Sequence, residues 1–317
     1  MKILVTPTSL QPGKKSRELE TLKQFSEDLV FNPAGRPLTE DELIPLLQDC
    51  DGYVAGLDFI TEKVIASCPK LKVISRYGVG YDRVDVAAAT RHGVVVTNTP
   101  GVNSEAVGEL AFALILAVAR KIPYLNQDTR NGGWMRSTGF ECLGKKICIL
   151  GLGSIGKVVA RCARGFGMEV CAYDPYIDEG YCLEHNIAAV SLEEGIAQAD
   201  VISLHLPLMD STRHLINKET LSAMKDGVVL INTSRGGIID ESAAYEALKS
   251  GKMGGLGLDA FEEEPPKDSL LFEFDNVVAT PHTGAHTKEA TQNMAKAAIK
   301  NLIDVLNNDE CAFIINK

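Results

Sequence analysis

Short apolar, β-branched runs alternate with amphipathic stretches along nearly the whole chain, the pattern of an α/β protein with buried parallel strands. In the first third the runs predict strands at 2–5, 52–54, 72–74 and 94–96. Helical spacing over 16–27, 39–48 and 84–90 fills the intervals. Residues 103–122 then read as one long, strongly apolar helix, opened by Asn103 or Ser104 as its cap. A second strand–helix series begins at Lys146. It predicts strands at 147–150, 169–172, 201–205, 228–232, 255–258 and 277–279, and a closing helix over 287–307.

One segment of this second series has more than structural content. Cys148-Ile149-Leu150 is a buried-strand pattern that runs into Gly151-Leu152-Gly153-Ser154-Ile155-Gly156 and then a helix. In such a Gly-x-Gly-x-x-Gly turn, Gly151 permits the tight bend and Gly153 admits a pyrophosphate close to the backbone. Gly156 lets helix and strand pack closely. The helix start offers amide donors, here from Ser154 and Ile155, and a positive dipole end for phosphates. The next predicted strand ends at Asp174, 18 residues after Gly156, where a ribose-binding acid is expected. A carboxylate there accepts from ribose hydroxyls and repels a 2′-phosphate, so the expected cofactor is NAD. A turn-forming role for Asp174 before Pro175 is the plainer alternative.

This signature lies mid-chain. That position suggests a nucleotide domain inserted into a discontinuous substrate domain, with boundaries at 1–100 plus 288–317 and at 101–287. The length of 317 residues suits two domains. Apolar residues at 45% and charged residues at 23% argue against disorder. A net charge of −10 disfavours nucleic acid and anionic membranes as partners, and Lys14-Lys15 and Lys145-Lys146 are too short to form a basic stripe.

The eight cysteines include no Cys-x-x-Cys pair, so no metal site is expected, and their use suits a reducing compartment. The longest apolar run, 110–119, is far below the roughly 18–20 residues of a membrane span. The start, MKILVTPTSL, lacks the long apolar stretch of a signal peptide. A cytoplasmic protein is expected.

Three charged positions stand at predicted strand ends or beside prolines. Arg235, in Asn232-Thr233-Ser234-Arg235-Gly236-Gly237, has backbone room for bidentate binding of a carboxylate. His282, in Pro281-His282-Thr283-Gly284, follows the strand at 277–279, and open α/β sheets bind ligands at strand ends. Taken alone, it reads equally well as a structural histidine. Glu264 closes the run Glu262-Glu263-Glu264 before Pro265-Pro266, which by itself reads as a solvated loop.

Together these motifs form an ordered series: Ser75-Arg76-Tyr77-Gly78-Val79-Gly80-Tyr81-Asp82, Asn98-Thr99-Pro100-Gly101-Val102-Asn103, the glycine loop, 232–237, Leu258 to Pro265, and Thr280-Pro281-His282. The chain resembles the D-isomer-specific 2-hydroxyacid dehydrogenases, most closely their phosphoglycerate dehydrogenase branch. The resemblance implies two Rossmann-like domains with parallel sheets, a cleft between them, and hinge closure around a small D-2-hydroxy acid or 2-keto acid.

It also implies a catalytic set. His282 serves as acid and base, Glu264 orients its ring and favours the charged form, and Arg235 grips the substrate carboxylate. Backbone amides near Val79 and Gly80, with Arg76 and Asn103, are implied on the substrate. Asp259 and Thr233 are implied on the nicotinamide carboxamide, and His205, Pro207, Ser234 and Gly284 along the cofactor; a plain strand-end role for His205 stays equally open. A homodimer is also implied.

There is a departure. Phosphoglycerate enzymes carry an arginine in the first substrate-domain loop, where this chain reads Val54-Ala55-Gly56-Leu57-Asp58. Substrates of the 3-phosphoglycerate, hydroxypyruvate and glyoxylate types therefore all stay open. Some corepressor relatives use the same fold as an NADH-responsive scaffold, which stands as the alternative to an enzyme.

Overall fold

The computed structural model describes residues 1–13 and 16–317; the Lys14-Lys15 pair lies outside the described residues. The chain divides into two compact units, the first formed by residues 1–103 and 286–317, the second by residues 104–285.

In chain order the first unit begins with β1 (Lys2–Val5), α1 (Arg17–Phe25), β2 (Asp28–Phe31), α2 (Glu40–Leu47) and β3 (Gly52–Ala55). It continues with α3 (Glu62–Ala66), β4 (Val73–Arg76), α4 (Val86–Arg91) and β5 (Val95–Thr97). All five strands are parallel, in the order β2-β1-β3-β4-β5. Alternation along each strand sends Leu4, Tyr53 and Ile74 to one core with Leu43, Leu47 and Val64. It sends Ile3, Val5, Val54 and Val73 to the other.

The second unit opens on α5 (Ser104–Ala119), followed by α6 (Ile122–Arg130), β6 (Lys146–Leu150), α7 (Ser154–Gly165), β7 (Glu169–Tyr173), α8 (Glu179–Glu184) and β8 (Ala188–Ala189). Then come α9 (Leu192–Gln198), β9 (Val201–Leu204), α10 (Lys218–Ala223), β10 (Val228–Asn232), α11 (Glu241–Ser250), β11 (Met253–Leu258) and β12 (Val277–Ala279). These strands form a seven-stranded parallel sheet, β12-β11-β10-β9-β6-β7-β8. The order reverses between β6 and β9. In doubly wound sheets that switch point opens a crevice beyond the carboxyl ends of the strands.

The last element, α12 (Lys288–Asn307), returns to the first unit. Ala295, Ala298, Ile299 and Leu302 join the core of Ile3 and Val5. Three polar bonds reinforce this closure: Ser75 Oγ donates to Ala298 O (2.8 Å), Tyr77 Oη to Thr291 O (2.7 Å), and Asn301 Nδ2 to Asn98 O (2.9 Å).

The expected α/β class with two parallel sheets is present. Several details differ from the sequence reading. The helix expected over 103–122 ends at Ala119, where Lys121 takes a left-handed backbone (φ 51°) before α6 begins. The strands β2 and β8 and the helices α3, α6 and α8 were not foreseen in the hydrophobic pattern. No helix is long and apolar enough to cross a membrane among the described residues.

Candidate active site

Gly151 ends β6 at the switch point with φ +100°, a region closed to most side chains. A Cβ there would stand 2.7 Å from the carbonyl carbon of His205, just past β9. Gly156 is equally constrained, since its Cβ would meet Gly151 O at 2.2 Å. The first helical bond of α7 runs from Lys157 N to Gly153 O (2.9 Å). The amides of Ser154 and Ile155 therefore have no acceptor inside the helix and suit an anion. The loop is braced from β7: Gly151 N donates to Tyr173 O (2.8 Å) and Leu152 N to Asp174 Oδ2 (2.8 Å). Asp174 Oδ1 accepts from Tyr176 N (2.8 Å).

Three further strand ends carry the charged candidates. Beyond β10, buried Asn232 folds the loop back on itself. Its Nδ2 donates to Arg235 O (2.7 Å), and its Oδ1 accepts from Ser234 N (3.0 Å) and Ser234 Oγ (2.8 Å). Arg235, partly buried, donates from Nη1 to Ser234 O (2.8 Å). Gly236 lies against the segment that follows β11, where its Cβ would come within 1.8 Å of the Phe261 carbonyl carbon. In that segment Glu264 Oε1 accepts from Phe261 N (3.3 Å) and pairs with His282 Nδ1 (2.8 Å). The side chains of His282 and Glu264 are 28% and 18% exposed, so the pair is sheltered yet still reachable. With Nδ1 committed to the carboxylate, Nε2 is the ring nitrogen left for proton exchange.

His282 itself is held in a left-handed backbone conformation (φ 49°), which costs about 1–2 kcal/mol for a residue with a Cβ. Asp259, at the end of β11 and only 2% exposed, supplies the restraint. Its Oδ1 accepts from Thr280 Oγ1 (2.6 Å) and Thr283 N (2.8 Å), and its Oδ2 from Gly284 N (2.8 Å). A loop with three charge-assisted bonds outweighs that backbone cost. The sequence reading missed Asn232 and Thr280. Both follow apolar runs at strand ends, a position that signals a loop clamp only once register is known.

The fit to a dinucleotide can be tested on polar satisfaction. Buried polar atoms nearly always find partners. Among the described residues the buried side-chain atoms with no partner are Thr233 Oγ1, His205 Nδ1 and Asn103 Oδ1. Thr233 and His205 stand at adjacent strand ends, β10 and β9, beside the glycine turn. Burial pushes the His205 imidazole down to about 4. Its Nε2 is paired with Ser203 Oγ (2.8 Å). Pro207 is exposed on the same loop, and Gly284 is buried under Asp259. These strand ends fit the cofactor.

In the first unit, Arg76 ends β4 only 3% exposed, with Nε donating to Gly80 O (3.1 Å) and Nη1 to Ala55 O (2.8 Å). Val79 is exposed on the loop that follows. Asp58 is 1% exposed; Leu38 N (2.6 Å), Tyr53 Oη (2.7 Å) and Thr6 Oγ1 all donate to its carboxylate.

A seven-stranded doubly wound sheet with a braced glycine loop defines a dinucleotide-binding unit of the oxidoreductase type. Comparison with known proteins narrows this further. Residues 112–284 match the NAD binding domain of the D-isomer specific 2-hydroxyacid dehydrogenases. A D-3-phosphoglycerate dehydrogenase from Methanocaldococcus jannaschii is 42% identical over 88% of this chain; the match covers 54% of that protein, so the chain spans about half its length. A glyoxylate reductase from Thermococcus litoralis is 41% identical over 100% of this chain and 97% of its own. A crystal structure of a Thermus thermophilus protein superposes with a TM-score of 0.88 at 35% identity, covering 99% of this chain and 100% of that one. The chain belongs to the D-isomer specific 2-hydroxyacid dehydrogenase family. Its cofactor is NAD.

Proposed function

We propose that the protein reduces a small, unphosphorylated 2-keto acid, of the glyoxylate or hydroxypyruvate type, to the D-2-hydroxy acid. The observation that carries this reading is the His282–Glu264 pair (2.8 Å) in the loop cluster that also holds Arg235. Bound NADH supplies the hydride. His282 Nε2 gives its proton to the keto oxygen, and Glu264 fixes the orientation of the ring. Arg235 binds the carboxylate and offsets charge that develops on the oxygen. Thr233 and Asp259 would hold the nicotinamide carboxamide, and Ser154, Ile155 and Asp174 the phosphates and ribose. Val79, Gly80, Arg76 and Asn103 belong to the substrate side.

The preference for an unphosphorylated substrate rests on charge in the first unit. The loop after β3 buries a carboxylate, Asp58, and the Arg76 guanidinium already serves two backbone carbonyls. The stretch itself, Val54 to Asp58, carries no arginine to offer a phosphate. A homodimer is supported by the apolar side chains that the second unit exposes: Ile122 (52%), Trp134 (81%), Met135 (51%) and Leu143 (73%).

The test is NADH oxidation with a panel of 2-keto acids. Glyoxylate or hydroxypyruvate is expected to turn over with kcat/KM at least about tenfold above 3-phosphohydroxypyruvate, equal to about 1.4 kcal/mol. Turnover of the phosphorylated acid alone would overturn the substrate assignment. No turnover of any member, with NADH binding retained, would overturn the enzymatic reading in favour of a scaffold.

A further inference from the structure

Cys148 and Cys171 stand opposite one another in the register of β6 and β7. Both side chains face the core of Leu150 and Ile196, and Cys171 Sγ donates to Ile147 O (3.5 Å). Cys148 is fully buried with α9 packed over it; a Cβ on Gly195 would stand 2.6 Å from its Sγ. Cys171 has a different outlook. It lines a surface cavity of about 390 Å³ with Lys146, Arg164, Met168, Asn186 and Gln198. Lys146 and Glu169, the first residues of their strands, also line it, so the cavity lies at the end of the sheet remote from the glycine loop.

The chemistry of the two thiols differs accordingly. The neighbouring Cys148 thiol, and after it the charge on Lys146, hold the Cys171 thiol below its ordinary range. Cys171 in turn, together with burial, pushes Cys148 up. Among the other cysteines, Cys50 and Cys68 are both pushed up to about 11 by burial.

The geometry points to a redox modification site: Cys171 reacts with a peroxide entering from this cavity, and Cys148 then closes a reversible disulfide across β6 and β7 that weakens NADH binding. In the first step the Cys171 thiolate attacks the peroxide. The O–O bond breaks, sulfur is oxidised to a sulfenic acid, and the peroxide is reduced to an alcohol or, for hydrogen peroxide, to water. In the second step Cys148 sulfur attacks the sulfenic sulfur. The S–S bond forms, and the departing hydroxide takes the Cys148 proton and leaves as water. A dithiol reductant reverses the modification.

Neighbouring strands are about 4.8 Å apart, inside the Cα range of disulfides, but the Cβ atoms must converge to about 3.8 Å. Three residues beyond each cysteine lie Gly151 and Asp174. These strand ends are tied together by the Gly151 N–Tyr173 O and Leu152 N–Asp174 Oδ2 bonds. Drawing the strands together at the cysteines therefore shifts the loop that receives the phosphates. A strained bridge of this kind also has a more oxidising potential and reduces readily.

The test treats the reduced full chain with hydrogen peroxide, blocks remaining thiols with a maleimide, and maps tryptic peptides. The expected product is a cross-linked peptide pair lighter by two hydrogen atoms, joined through Cys148 and Cys171 and released by dithiothreitol. Fragment spectra must separate Cys171 from Cys182, which tryptic cleavage leaves on one peptide. In parallel, the NADH dissociation constant by fluorescence titration is expected to rise about fivefold, equal to about 1 kcal/mol, and to recover on reduction. Cys171→Ser and Cys148→Ser are expected to lose this response.

Should the serine variants fail to fold, the wild-type peptide map decides. Maleimide on both Cys148 and Cys171, at a peroxide dose that oxidises the part-exposed Cys162, would overturn the proposal. A cross-link without change in NADH affinity would overturn its link to the cofactor.

Discussion

Asp259→Asn isolates what holds His282 in place. The substitution keeps the shape of the side chain and removes one acceptor. Asparagine can leave its oxygen toward Thr280 Oγ1 and Thr283 N, which places its NH2 against Gly284 N, a contact that is now a 2.8 Å bond. One charge-assisted bond of about 1.5–3 kcal/mol is then lost, and a buried N–H faces another donor. The two surviving bonds become neutral and weaken. A total of about 3 kcal/mol follows, concentrated in the loop that keeps His282 at φ 49°. The assay is native-state hydrogen exchange at the Thr283 and Gly284 amides, read beside kcat/KM. Exchange at both amides should accelerate about 100-fold, the factor equal to about 3 kcal/mol, and kcat/KM should fall at least about tenfold. Protection unchanged within about twofold would refute the view that Asp259 fixes this loop.

Other outcomes follow from the same geometry. His205 is held down to about 4 in the folded protein, against an ordinary value near 6.5, so it stays neutral while the unfolded chain takes up a proton. Its contribution to stability is full above about pH 6.5 and is lost as pH falls to about 4, by at most about 3 kcal/mol. Urea unfolding across that window should show this slope, and His205→Gln should flatten it. Gly156→Ala places a Cβ 2.2 Å from Gly151 O; NADH affinity should fall at least about tenfold, with a stability loss of about 1–3 kcal/mol, read by titration and urea melts. His282→Ala should reduce kcat by about 100-fold or more while leaving NADH affinity within about threefold, as measured by steady-state kinetics and titration.

The central strands could be read from the chain alone, because β6, β7, β9 and β10 are short, predominantly apolar, β-branched runs. Short edge elements could not. β8 is two exposed alanines and leaves no hydrophobic signature, while β2 offers only the short run Leu29-Val30-Phe31, none of it fully buried. The break after Ala119 rests on a lysine in a left-handed conformation, a place where glycine would have announced a turn. The glycine loop was legible from its own residues and context, whereas Arg235, Glu264 and His282 take on a joint role only through the family resemblance. Thr280 acts on a carboxylate 21 residues away in sequence, and Asn232 on its own loop just past the strand end; neither clamp has a period to detect.

The return of α12 to the first unit has a consequence for how the protein is made. On a ribosome, β1 emerges well before α12, the helix that completes the cover over Ile3 and Val5. The segment 104–285 can complete its own core while the earlier unit still waits with one face of its sheet only partly covered. Synthesis arrested before α12 would therefore leave apolar sheet surface exposed, and such a half-made chain is a natural client for chaperones.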